Sequence, residues 1–167
     1  MANTILAVLS MAMVTMFSFQ QHRAILNARL TMIRAGLTLN AASVGTETLD
    51  EIGAKAFDQA TLRGIVESPE YLTPIGVTPE TPEYGSRNDI DDYAGLHAVE
   101  TRVIGGKELA FAVEVNVDYI SEADGYTVST TPTKLKRAVT KVYYVNVANP
   151  DTVTLERLYM CGESCGW

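Results

Sequence analysis

The chain has 167 residues, of which 47% are hydrophobic and 20% charged, and its 13 basic and 20 acidic side chains give a formal net charge of −7. This length suits one domain with a buried core, and the composition is too apolar for a disordered protein. The acidic balance disfavours nucleic acid as a partner, because phosphate binding needs clustered Lys and Arg. Two cysteines are too few for a disulfide scaffold.

Charge is distributed unevenly along the chain. The first 45 residues carry only Arg23, Arg29 and Arg34, and all 20 acidic residues lie beyond them. Nothing between Met1 and Gln21 is ionisable, and a helix of about 20 such residues spans about 30 Å, the thickness of a bilayer core. The candidate membrane or filament-core side chains are Met1, Ile5, Leu6, Val8, Leu9, Met13, Val14, Phe17 and Phe19.

Three interpretations fit this segment: a secretory signal, a membrane anchor or a buried helix. A cleaved signal is disfavoured because no Lys or Arg precedes the apolar run. A simple anchor would have its arginine side, and hence the acidic domain, in the cytoplasm. A basic leader removed before Met1 would reverse that orientation.

The helical pattern continues beyond residue 21. Leu26, Leu30, Ile33 and Leu37 recur at helical spacing, which predicts one helix from about residue 2 to residue 44. We therefore divide the N-terminal region, 1–45, into an apolar half over 1–20 and an amphipathic half over 21–45. The amphipathic half is expected to pack on a sheet, so that removing residues 1–20 would leave a soluble monomer.

The remainder, 46–167, is predicted to form a globular domain. Thr46 or Thr48 could cap a second helix over 46–64, which is either a separate helix or a bent extension of the first. A Pro- and Gly-punctuated surface loop follows over 67–96. An antiparallel sheet is predicted over 97–160, followed by a cysteine loop over 161–165. The expected strands cover 98–104, 108–119, 134–147 and 153–160, with turns at Gly105-Gly106, Asp124-Gly125 and Asn149-Pro150-Asp151.

The second of these strands alternates clearly, with Phe111, Val113, Val115 and Val117 on one face. One face of the sheet should therefore be buried and the other solvated. The predicted fold class is α+β, with a long N-terminal α-helix packed on an antiparallel β-meander sheet.

We found no catalytic constellation and no cofactor motif. His22 and His97 are expected on the surface, and Gly105-Gly106-Lys107 lacks the spacing of a phosphate loop. Carboxylate oxygens could bind Ca²⁺, but EF-hand spacing is missing, and the alternative is a solvated loop anchored by Tyr93. The weak calcium candidates are Asp89, Asp91 and Asp92.

The sequence resembles the type IV pilins and the related pseudopilins of secretion systems. The resemblance rests on the apolar helix from the first residue, its amphipathic continuation, the sheet and the C-terminal cysteine pair. The Asp-Asp-Tyr segment 87–96, the basic strand 135–142 and Val153-Thr154-Leu155 look like the pilin-like subfamily found among minor pilins.

This resemblance implies a structural subunit of an extracellular pilus-like filament that serves attachment or motility. The implied partners are copies of the same chain, the inner membrane before assembly and the pilus assembly machinery. The chain would be a single-pass membrane protein first and a surface filament afterwards. The alternatives are a minor pilin or pseudopilin, a membrane-anchored ligand-binding domain, or an enzyme without recognisable catalytic groups.

The resemblance also leads to an expectation about the three arginines of the helix. Most such pilins have glutamate at the fifth mature position, where this chain has Ile5, so Arg23, Arg29 or Arg34 should pair with acids of a neighbour or of its own domain. The candidate acids within the chain are Glu47, Asp50 and Glu51.

Cys161 and Cys165 enclose three residues that can close a short loop. On an exported protein they should form a disulfide, whereas a cytosolic protein would keep free thiols.

Overall fold

The computed structural model describes residues 2–75, 87–147 and 150–167. Its helices are α1 (Ala2–Gly53) and the short α2 (Gln59–Leu62), and single 3₁₀ turns cover Pro69–Tyr71 and Asp91–Tyr93. The strands are β1 (Leu96–Ile104), β2 (Lys107–Ser121), β3 (Thr127–Ser129), β4 (Leu135–Tyr144) and β5 (Thr152–Met160). The α+β class predicted from the sequence is confirmed.

Helix α1 continues through the region predicted to start a second helix. The hydroxyls of Thr46 and Thr48 donate to the carbonyls of Ala42 and Val44, each at 2.9 Å, so both residues lie inside the helix instead of capping a new one. The helix ends at Gly53, and only Gln59–Leu62 of the predicted 46–64 helix forms a separate helix. The separate second helix is therefore wrong in its start and most of its length, whereas the alternative, an extension of the first helix, is correct as far as Gly53.

The five strands form one antiparallel sheet in the order β1-β2-β4-β5, and β3 pairs with the end of β2. Gly105 and Gly106 turn the chain between β1 and β2 with φ of 58° and 77°, which glycine adopts without steric cost. This hairpin is as predicted. The short β3 was not predicted, and Asn149 of the last predicted turn lies outside the described residues.

The chain separates into two compact units, residues 1–39 and 40–167. In the second unit, the end of α1 supplies Ala41, Val44, Leu49 and Ile52 to the core. The sheet supplies the buried face of β2 and β4, namely Phe111, Val113, Val115, Val117, Tyr119, Ala138, Thr140 and Val142. The sheet face was thus predicted correctly.

The prediction of which helix residues cover this face is wrong. Leu26, Leu30 and Ile33 are exposed and Leu37 is half-buried, all within the first unit. The packing segment lies further along α1, where a Cβ at Gly45 would come within 2.9 Å of the Leu155 side chain. The small residues of this segment allow the close approach that larger side chains would prevent.

The helix end and the last strand are joined by side chains distant in sequence. The Tyr159 hydroxyl donates to the Leu49 carbonyl at 2.6 Å, across 110 residues. Arg157 pairs with Asp50 at 2.6 Å, across 107 residues.

The predicted surface loop 67–96 is only partly a surface feature. Residues 76–86 lie outside the described part of the chain. Ala56 pairs with Asp89 in an isolated parallel bridge, and Leu72, Ile90 and Tyr93 are buried. Tyr93 is therefore a packing anchor, as predicted, but the segment around it belongs to the core.

Candidate functional site

The first unit exposes a long apolar helical surface. Eight candidate assembly residues are between 54 and 69% exposed, while Met1 lies outside the described residues. By length and composition the helix could cross a membrane, and none of its most apolar stretch is buried. The eight are Ile5, Leu6, Val8, Leu9, Met13, Val14, Phe17 and Phe19.

Two hydroxyls in this segment bond to their own helix. Ser10 Oγ donates to the Ala7 carbonyl at 2.9 Å, and Thr15 Oγ1 lies 3.0 Å from the Met11 carbonyl and 2.9 Å from that of Ala12. Neither hydroxyl requires a partner outside the helix, so an apolar surrounding could cover both.

The first charged side chain of the helix lies against its last aromatic ring. The Arg23 guanidinium carbon is 4.6 Å from the Phe19 ring centroid, in cation–π geometry. Arg23, Arg29 and Arg34 are all exposed. None of the five ion pairs found among the described residues includes any of these three.

The acids proposed as their partners within the chain are occupied elsewhere. Glu47 pairs with Arg102 of β1, Asp50 pairs with Arg157 of β5, and Glu51 accepts a hydrogen bond from Tyr93 at 2.7 Å. The intramolecular pairing prediction is therefore wrong, because arginines on the two edge strands of the sheet and a tyrosine reach these acids. Pairing with a neighbouring subunit stays a prediction.

Downstream of Arg23 the helix exposes a second apolar stripe. Leu26, Leu30 and Ile33 are 47, 56 and 61% exposed. A polar stripe lies beside it, where Thr31 and Thr38 donate to carbonyls one turn earlier. We call Leu26, Leu30 and Ile33 the distal stripe.

The three calcium candidates serve other contacts. Asp92 Oδ2 accepts from the Asn88 amide at 2.9 Å, Asp89 Oδ1 accepts from the Asp92 amide at 3.2 Å, and Asp91 pairs with Lys136. Within the described ranges there is no group of three or more His, Cys, Asp or Glu that could hold a metal. The alternative of a solvated loop is also wrong, since Asp89 is buried.

Burial changes the pKa of the Asp89 carboxyl. Desolvation, reinforced by the nearby Asp91 and Asp92 charges, raises the pKa of Asp89 to about 7, against opposing effects of the Asp92 amide and Lys136. Desolvation also raises the pKa of Asp91, although Lys136 opposes that shift.

Lys136 is a buried charged residue that was not predicted individually from the sequence. Its side chain is fully buried between the carboxylates of Asp58 and Asp91. The signal was available in the strand pattern, because Lys136 shares the inward face of β4 with Ala138, Thr140 and Val142. A lysine in that register requires buried partners.

The C-terminal cysteine pair forms the predicted disulfide, Cys161–Cys165. Next to it the Val66 amide donates to the Ser164 carbonyl at 2.8 Å, and the Gly166 amide donates to the Val66 carbonyl at 2.9 Å. The disulfide loop thus holds the chain end against the segment after α2.

Both histidines, His22 and His97, are exposed, as expected. The chain matches no protein-family model, no curated protein and no solved structure. What the molecule offers for function is therefore its own geometry: an α+β domain and a long helix whose apolar side chains are uncovered.

Proposed function

We propose that this chain is a structural subunit of a pilus-like extracellular filament, held in the membrane before assembly and polymerised through its N-terminal helix. The observation that carries the proposal is the exposure of apolar side chains along α1, first over 5–19 and again at the distal stripe. Leaving the eight candidate assembly side chains between Ile5 and Phe19, here called the proximal side chains, in water would cost on the order of 10 to 20 kcal/mol per subunit. These side chains therefore require an apolar environment, either lipid or other protein.

A bilayer alone accounts for only part of this surface. The charge-free segment 1–21 already spans about 30 Å, the thickness of one hydrocarbon core. The distal stripe begins after Arg23, so it extends beyond that core. A solitary anchored domain would leave Leu26, Leu30 and Ile33 in water, whereas packed copies of the same helix would cover both segments.

Assembly then exchanges one apolar environment for another. The proximal side chains leave lipid and become buried between neighbouring helices, so little hydrophobic free energy is lost in the transfer. Small residues such as Ala7, Ser10 and Ala12 allow helices to approach closely. The acidic domain, at −10 over 46–167, stays outside in solvent, where its charge opposes disordered association.

The distal stripe provides the discriminating experiment. In cells that carry the assembly machinery, Leu30→Asp should leave membrane insertion intact and abolish filaments in sheared material viewed by electron microscopy. Thr31→Asp, on the polar face one residue away, is the matched control and should retain filaments. Normal filament yield from Leu30→Asp would contradict assembly through this helix.

A second pair tests the proximal segment. Leu9→Asp should abolish filaments while the domain is still produced and folded, because an aspartate in the packed helical core would be buried without a partner. Leu9→Met keeps an apolar side chain of similar volume and should assemble normally. Filaments from Leu9→Asp at the wild-type yield would refute the proposal.

A subunit used in few copies, as in a minor pilin or pseudopilin, would bury the same surfaces. Electron microscopy with an antibody against the domain separates the cases. Labelling along the whole filament supports the major-subunit role, whereas labelling confined to tips or absent from filaments supports the minor role.

A further inference from the structure

A fully buried lysine amine lies between two carboxylates in the domain core. Lys136 Nζ, on β4, contacts Asp91 Oδ1 of the Asp91–Tyr93 turn and lies 3.4 Å from Asp58 Oδ2. It also donates to the Phe57 carbonyl at 2.6 Å. The side chains of Lys136 and Asp58 are 0% exposed, and that of Asp91 is 9% exposed.

Aromatic rings complete this enclosure. The ammonium nitrogen is 4.6 Å from the Phe57 ring centroid and 4.9 Å from that of Tyr119. The Tyr119 hydroxyl donates to the Thr73 carbonyl at 2.9 Å and lies 3.2 Å from Asp58 Oδ2. The amine and the carboxyl groups are therefore held together in a site that the fold closes to solvent.

We propose that Lys136 Nζ and Asp91 Cγ condense into an intramolecular isopeptide bond. The enclosure supplies the two conditions that such a condensation needs. It holds the Lys136 amine in contact with the Asp91 carboxyl group through Oδ1, which removes the entropic cost of bringing the two groups together. It also excludes the water that would otherwise favour hydrolysis of the amide.

Burial favours the uncharged form of the Asp91 carboxyl. An amine attacks only without its extra proton, and a carboxyl is attacked readily only when protonated. Desolvation raises the pKa of Asp91, which favours its protonated form, although the Lys136 ammonium opposes this shift. Proton transfer from the ammonium to the carboxylate therefore yields a neutral pair suited to a buried position.

Asp58 is the group that can carry the protons. In the balanced step, the ammonium passes one proton to Asp91 by way of Asp58, and the nitrogen lone pair attacks Cγ to form the C–N bond. A second nitrogen proton then reaches the departing oxygen, the C–O bond breaks, and one water leaves. Asp58 ends in its starting form, and no oxidant or activating group is consumed.

Contacts distinguish the two acids. Asp58 Oδ1 accepts from the Ala60 amide at 2.9 Å, and Oδ2 accepts from the Thr73 amide at 2.8 Å. These hydrogen bonds hold the Asp58 side chain in place as the cap of α2. Asp91 is in direct contact with the amine, so it is the electrophile and Asp58 the proton carrier.

The test is the intact mass of the full-length chain, purified in detergent. With the disulfide accounted for, the protein should be lighter than its sequence by one water. Protease digestion should give a branched peptide that joins the segment around Asp91 to the segment around Lys136. An intact mass with no water missing would overturn the proposal, whatever the variants do.

Variants locate the bond. Lys136→Arg and Asp91→Ala should each restore the full mass, whereas Lys134→Arg, the matched control two residues away, should retain the loss. Asp58→Asn should lower the linked fraction in freshly purified protein. Water loss mapped instead to Asp124-Gly125, where an aspartate can cyclise onto the following amide, would also overturn the proposal.

Discussion

The buried Asp89 carboxyl makes the stability of the domain depend on pH. In the unfolded chain this carboxyl has its ordinary pKa of 3.8, and in the folded domain burial raises the pKa to about 7. Between these values the folded state holds a proton that the unfolded state has released. The free energy of unfolding should therefore fall as pH rises from about 4 to about 7 and level off above that.

The size of the effect follows from the shift. One pKa unit corresponds to about 1.4 kcal/mol, so the shift of the Asp89 pKa from 3.8 to about 7 amounts to about 4 kcal/mol between the two plateaus. Asp91 and Asp92 add to the shift, and Lys136 opposes it. Desolvation is the largest cause, so the direction holds whether or not Lys136 and Asp91 are linked.

Urea unfolding of the full chain in detergent micelles, at about pH 5 and about pH 8, measures this difference. Near-ultraviolet circular dichroism suits the purpose because all eight tyrosines and Trp167 lie beyond residue 70. Asp89→Asn should remove most of the difference, and Asp151→Asn, at an exposed position, should not. Equal or greater stability of the wild-type chain at the higher pH would refute the reasoning.

Three further predictions concern the two ends of this sequence. Replacing Cys161 and Cys165 by serine should lower the free energy of unfolding by about 2 kcal/mol, as expected for so small a ring, and an unchanged urea midpoint would contradict a stabilising role. A chain starting at Leu39 should be folded and monomeric by circular dichroism and size-exclusion chromatography, because it keeps the helical core residues 41–52. A chain starting at Gln21 should self-associate through the distal stripe, contrary to the monomer expected from sequence, and identical monomeric elution of both chains would argue against that stripe as a contact surface.

Strand alternation made the sheet predictable. Phe111, Val113, Val115 and Val117 repeat with period two, and that period has only one structural explanation. The helix was predicted as an element but assigned the wrong packing segment. Leu26, Leu30 and Ile33 have the spacing of a core face, yet the same spacing also suits a face covered by other subunits.

The remaining errors arose where one residue type serves two roles. Threonine caps helices, but inside a helix its hydroxyl can bond to the carbonyl one turn earlier, as Thr46 and Thr48 do. Clustered aspartates usually indicate a solvated loop, and here a lysine distant in sequence brings Asp91 into the core. No local pattern around Asp91 could have identified that partner.

The long sequence separations between α1 and β5 determine when the domain can fold during synthesis. Tyr159 and Arg157 are translated 110 and 107 residues after Leu49 and Asp50, the residues that they bind. Contacts this distant cannot form until strand β5 has left the ribosome. The core-facing side chains of the nascent helix therefore stay exposed until the sheet has formed. Aggregation competes most strongly with folding during this interval.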